Sequence, residues 1–131
     1  FRQWRADSHC KFLHGYSLEF EFEFGAHELD ERNWVVDFGG LKELESWLRS
    51  NFDHKTLVAS DDPKLSEFES LEKNGIIDLI VVESTGAEMF AKMAMEFSTK
   101  LIADNYGDRC WVESVTVREH GANSAKCNRE N

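Results

Sequence analysis

The chain has 131 residues, 41% of them hydrophobic and 31% charged, enough for one domain with an ordinary core and too apolar for a disordered segment. Its formal net charge of −10 argues against nucleic acid as a partner, because phosphate contacts need Lys and Arg to displace counterions. No apolar run approaches the roughly 20 residues that cross a bilayer, so no membrane segment is expected.

Phe1-Arg2-Gln3-Trp4-Arg5 reads as neither a signal peptide nor an initiator methionine, so a few residues are expected before it. Cys10, Cys110 and Cys127 form an odd set without Cys-x-x-Cys spacing, which favours free thiols and a cytoplasmic location over a disulfide framework. Residues 1–8 are expected to form a pairing strand, with 9–14 as its connection. Residues 16–24 read YSLEFEFEF, and strict alternation of Leu18, Phe20, Phe22 and Phe24 with Ser17, Glu19, Glu21 and Glu23 predicts a half-buried strand. The acidic row is either a solvated sheet face or the lining of a channel in an oligomer.

Gly25 to Asn33 is a polar loop, and Trp34-Val35-Val36 a short strand. Asp37 is expected as an N-cap or loop anchor ahead of a helix over 41–52, where Leu41, Leu44, Trp47 and Leu48 share a face. Residues 55–75 read as loop-rich around Asp61-Asp62-Pro63. Residues 76–82 predict a buried strand. Thr85-Gly86-Ala87-Glu88 fits a capping box, with Thr85 at the N-cap. The helix after it carries Ala87, Phe90, Met93, Ala94, Phe97 and Leu101 at spacings of three and four. Residues 111–119 make the last strand, and the polar segment from Gly121 is expected to fray. The order predicts an α+β fold, one domain over 1–131: a four-stranded antiparallel sheet with two helices on one face. Regular βαβ units and a glycine-rich phosphate loop are not apparent.

Ahead of the first strand stands Ser8-His9-Cys10-Lys11-Phe12-Leu13-His14-Gly15-Tyr16. Residues two apart in a strand point the same way, so if the strand is already formed at its start, His14, Tyr16 and Leu18 share the phenylalanine face. His9 on the neighbouring segment offers another direction, and zinc commonly takes three protein ligands with one position left for substrate. The plain alternative is a hairpin turn with polar residues in it. Three further clusters bear on the choice: Val36-Asp37-Phe38-Gly39-Gly40-Leu41-Lys42, Asp53-His54, and Val117-Arg118-Glu119.

With Cys10-x-x-x-His14-Gly15 and Ala87-Glu88, these occur in the order of the 6-pyruvoyl- and 6-carboxytetrahydropterin synthase family, which the chain resembles over nearly its whole length. The resemblance implies the tunnelling fold and a zinc-dependent lyase acting on dihydroneopterin triphosphate, on a route toward deazapurine nucleosides such as queuosine. It implies His9 and His14 as metal ligands, Cys10 as the proton-abstracting base, Asp53 and His54 as a proton relay, and Glu119 as the carboxylate that holds the pterin. It also implies a homo-oligomer, trimers pairing into hexamers, with the row Glu19, Glu21, Glu23 facing a central tunnel.

The chain departs from the family pattern in three places. Tyr16 stands where the pattern has a ligand histidine, and a phenol, with a reference pKa of about 10, ligates zinc only when the metal drives its ionisation. His9 lies directly beside Cys10 rather than in an earlier strand. Thr85-Gly86 replaces Pro-Thr at the second helix start. The cations near the hairpin are Arg2, Arg5 and Lys11, the expected partners of a triphosphate. Beside the lyase, the sequence leaves open a metal-free pterin-binding protein of the same fold, and an enzyme acting on a pterin without phosphates.

Overall fold

The computed structural model describes residues 1–130. Strand β1 (Glu19–Ala26) keeps the alternation of its sequence, with the phenylalanines half-buried and the glutamates exposed. Helix α1 (Lys42–Phe52) follows a 3-10 turn over Phe38–Leu41, whose N-cap is Asp37, accepting from the Gly39 N–H at 2.9 Å. Strand β2 (Thr56–Ala59), helix α2 (Leu65–Lys73) and strand β3 (Leu79–Val82) come next, then the long helix α3 (Ala87–Tyr106) and the hairpin of β4 (Cys110–His120) and β5 (Asn123–Asn128). The antiparallel sheet has three strands in the order β1-β4-β5, and β2 and β3 form a separate parallel pair.

The core lies between α3 and this sheet. Phe90, Ala91, Ala94, Met95, Ser98, Leu101 and Ile102 are the buried stripe of α3, facing Val112, Val115 and Val117 of β4. The small residues of the stripe let helix and sheet approach closely, and the Ser98 hydroxyl is satisfied by donating to Ala94 O at 2.6 Å. Phe90 is fully buried, with Phe1 and Phe52 at ring-centroid distances of 5.1 and 5.4 Å. On the opposite sheet face Arg118 reaches Glu21 at 2.6 Å and Glu19 at 3.6 Å, while Lys126 faces Glu23 at 4.0 Å. Cross-strand cations thus partner the acidic row.

The α+β class and the antiparallel sheet are as expected, but several elements differ. Three α-helices form among the described residues, because Leu65, Phe68 and Leu71 recur at helical spacing within the supposed loop and pack as α2. The sheet has three strands rather than four, since the strand at 79–82 pairs in parallel with β2 across α2, a βαβ unit of its own. Residues 1–8 and 34–36 are not strands: among the described residues the first segment makes backbone bonds only to residues 8–14 and within itself and is tied to the rest of the fold by side chains such as Arg2 and Trp4, and the second is held by Arg109 donating to Val35 O at 2.8 Å. The segment after Gly121 forms β5, because Ala125 and Cys127 cover the core while Ser124 and Lys126 face outward. No helix among the described residues is long and apolar enough to cross a membrane.

Candidate active site

Cys10 and His14 sit on a segment that folds back on residues 1–3 rather than joining the sheet. Phe1 and His14 exchange both backbone bonds, at 2.9 and 3.0 Å, and Gln3 N–H donates to Cys10 O at 2.9 Å. A 3-10 turn over His9–Lys11 is capped by Ser8, whose hydroxyl oxygen accepts from Cys10 N–H at 3.3 Å. His9 is exposed on that turn and Cys10 is half-buried. Burial pushes the thiols of Cys110 and Cys127 above the ordinary thiol range.

His14 Nδ1 lies 2.7 Å from Phe12 O. A carbonyl only accepts, so Nδ1 carries the proton in the neutral ring and Nε2 presents a lone pair. Its ring meets that of Tyr16 at 5.2 Å, and Tyr16 in turn meets His120 at 5.5 Å. Phe1 packs on both His14 and Tyr16, at 5.0 and 6.3 Å. This aromatic run joins the hairpin to the end of β4. His120 is tied down there: Ala122 N–H donates to its Nδ1 at 3.1 Å, and its Nε2 faces the Asn123 carboxamide at 3.1 Å.

Glu119 precedes His120, half-buried, at a register shift in the β4–β5 ladder. Arg118 pairs with Ser124 and His120 with Asn123, so Glu119 is the residue left over by the bulge. Bulges re-aim side chains in this way at the ends of strands. Asp53 and His54 sit where α1 ends. Asp53 is the C-cap, and His54 takes a left-handed backbone with φ 56°, its Nε2 3.6 Å from Asp53 Oδ1. Both are exposed, His54 at 95%. They share a cavity of about 530 Å³ with Tyr16, Leu18, Phe20 and Phe52.

The fold therefore gathers Tyr16 with the Asp53-His54 pair at one cavity, and Tyr16 with His14 and His120, the residue after Glu119, in an aromatic run. It does not gather His9 and His14 into a metal site: among the described residues no three His, Cys, Asp or Glu side chains are placed to hold an ion. Arg2 and Arg5 are not free cations either, being bound to Asp62 and Asp61 at 2.6 and 2.7 Å. Lys11 lies over the Phe12 ring at 5.3 Å. His120 was given no role by the sequence, and its only signal there is adjacency to Glu119.

A family model described as 6-pyruvoyl tetrahydropterin synthase matches residues 1–130. The 6-carboxy-5,6,7,8-tetrahydropterin synthase of Rickettsia conorii is 36% identical over 59 residues, covering 44% of this chain and 43% of that protein. The enzyme of the same name from Aquifex aeolicus is 31% identical over 97 residues, covering 72% of this chain and 60% of that one. The chain thus spans about half the length of the curated relatives it matches. Among solved structures, an uncharacterized protein of Wolinella succinogenes superposes with a TM-score of 0.85 at 19% identity, covering 98% of this chain and 91% of that one. A Plasmodium vivax 6-pyruvoyltetrahydropterin synthase gives 0.66 at 17% identity, with 92% and 83% covered. At such identities these two likenesses show the fold alone.

Proposed function

The chain belongs to the 6-pyruvoyl tetrahydropterin synthase family, and from that premise we propose that it is a pterin lyase of the 6-carboxytetrahydropterin synthase type, converting 7,8-dihydroneopterin triphosphate to 6-carboxy-5,6,7,8-tetrahydropterin. The observation that carries this reading is Glu119, left over by a bulge at the end of β4 next to the Tyr16–His120 contact. A carboxylate there accepts two hydrogen bonds from the flat amide and amine edge of a pterin, a bidentate match that also fixes its orientation. Cys10 is the proton-abstracting base of the proposal, and Asp53-His54, open to solvent, is the relay. The names of the Rickettsia and Aquifex relatives support the carboxy-forming branch.

Zinc, which the family resemblance implies, finds one suitable donor. His14 is presented as a ligand imidazole usually is, with Nδ1 held by a carbonyl and Nε2 free. The other donors do not follow: His9 is exposed on its turn, His120 is engaged at both nitrogens, and no three-residue set of the usual ligands converges among the described residues. The described residues of one chain do not fit a resident zinc. Elemental mass spectrometry on protein purified without chelators should find well below one zinc per chain. About one per chain, the content of a three-ligand site, would mean that a rearranged hairpin or a second copy completes the set.

The protein is proposed to work in the cytoplasm as a homo-oligomer. The three free thiols favour that compartment. Both β1 and β5 are edge strands, and a cavity of about 540 Å³ beside β1 is walled by Phe22, Phe24, Trp34 and Phe38, the last 80% exposed. Open edges and apolar walls of this kind call for a covering partner. The direct test of the activity is incubation with dihydroneopterin triphosphate, with mass-spectrometric detection of the carboxypterin. A protein that binds the pterin and returns it unchanged would move the reading to binding without catalysis.

A further inference from the structure

Among the described residues, the hairpin that carries Cys10 and His14 has no ladder bonds to either sheet, yet it is tied to the fold by side chains. Arg2 makes a two-pronged contact with Asp62, Nε to Oδ2 at 2.8 Å and Nη2 to Oδ1 at 2.6 Å, and its remaining Nη1 donates to Lys11 O at 3.3 Å. One guanidinium therefore spans from the loop after β2 to the residue beside Cys10. The Asp62 side chain is fully buried and also accepts from Lys64 N–H at 2.8 Å, a second tie that holds the carboxylate to its own loop. Thr85 at the start of α3 donates its hydroxyl to Arg2 O at 2.6 Å. Trp4 and Arg5 add exposed bonds to Asp61 at 3.1 and 2.7 Å.

These contacts gather at one point of the hairpin and leave the pterin anchor untouched, because Glu119 stands on β4. We propose that Arg2 and Asp62 are positioning residues: their pair sets the place of the Cys10 thiol and the His14 imidazole relative to the sheet end that carries Glu119. The proposal rests on the pterin-lyase reading for its activity readout, and on the hairpin geometry alone for its thiol readout. A forked Arg–carboxylate contact with a buried acid is the arrangement that fixes geometry as well as distance. The two halves of the site then separate by experiment, with turnover depending on the clamp and pterin affinity depending on the sheet.

The test uses Arg2→Met, the double variant Arg2→Met/Asp62→Asn, which leaves no unpaired buried charge, and Arg2→Lys. Three quantities are read on each: kcat, the Kd for dihydroneopterin triphosphate, and the rate of Cys10 alkylation by iodoacetamide, with Cys127 as internal reference. The expected result is a kcat loss of at least tenfold with Kd within threefold of the parent. Cys10 alkylation should rise at least fivefold in Arg2→Met and in the double variant while Cys127 is unchanged. Arg2→Lys, which keeps the charge but loses the fork, should fall between. Equal losses in kcat and affinity, or a Cys10 rate that does not move in the well-folded double variant, would overturn the proposal. Should the parent protein turn over no pterin, the lyase reading fails, and the Cys10 rate still decides the clamp.

Discussion

Gly86 connects the start of α3 to the hairpin, and Gly86→Ala is the substitution whose cost the structure sets most directly. The residue is the N-cap of α3 with φ 120° and ψ 160°, a region that glycine alone enters freely. A Cβ built there falls 2.3 Å from Gln3 Nε2, and 3.5 Å from Gln3 Cδ and Glu88 Oε2. The amide is the far end of a flexible side chain and swings aside at small cost. The backbone has no such escape, because the Gly86 carbonyl already accepts the first α3 bond, from Phe90 N–H at 2.9 Å. The penalty is therefore the conformational one, about 1–3 kcal/mol. For a chain of this size that lowers Tm by about 3–15 °C. Urea unfolding should show a lower midpoint with an unchanged slope. Gly15→Ala is the matched control, since nothing lies within 4 Å of its Cβ and its φ is not positive. A loss below about 0.5 kcal/mol for Gly86→Ala, or an equal loss in the control, would refute this account of how the helix begins.

Replacing Glu119 by Ala should abolish pterin binding by calorimetric titration while leaving the unfolding midpoint near that of the parent, and retained affinity would remove it as the anchor. Cys10→Ala should bind the pterin as before and lose turnover by about 100-fold or more, the usual weight of a proton-transfer group; persistent turnover would assign the base elsewhere. Hydrogen bonding from the Arg2 guanidinium holds the Asp62 carboxyl below the usual carboxylate range, against the opposing effect of burial. The sign follows from that: a depressed folded-state pKa contributes stability in full above the unfolded value of about 3.9, and loses it as pH falls through the folded value. The stability gap between the parent and Asp62→Asn should hold level from pH 7 to about 5 and shrink below that, measured by urea unfolding across the range. A gap that stays constant down to pH 2.5 would show that the pair does not titrate with the fold.

The strand expected over 16–24 was legible because its alternation is local, each residue reporting its own face, although it begins only at Glu19 and runs on to Ala26; the same holds for the apolar stripes of α1 and α3. Asp37 was legible as a cap for the same reason, its carboxylate reaching only two residues ahead. The ordered set of Cys10, His14, Asp53-His54 and Glu119 points to the family, since it depends on spacing along the chain and not on contacts. Local patterns failed where two readings were equally good at short range. Thr85 looked like an N-cap, yet its hydroxyl serves Arg2 O, 83 residues away, and the cap falls to Gly86. The weak alternation over 123–128 became a strand only because β4 offered it an edge.

Arg2 and Arg5 illustrate the limit most plainly. Sequence placed them beside the hairpin and therefore near a triphosphate. The fold brings Asp62 and Asp61 to them across 60 and 56 residues and commits both guanidinium groups to holding the hairpin instead. In the same way His120 acquires its place against Tyr16 only when β4 ends beside the hairpin. Which elements form is written in short-range periodicity, and the sequence by itself determined the α+β class, the main strand and the candidate residues. Which charge meets which, and which donors converge, depends on closing loops of dozens of residues, and that was decided only by the tertiary structure.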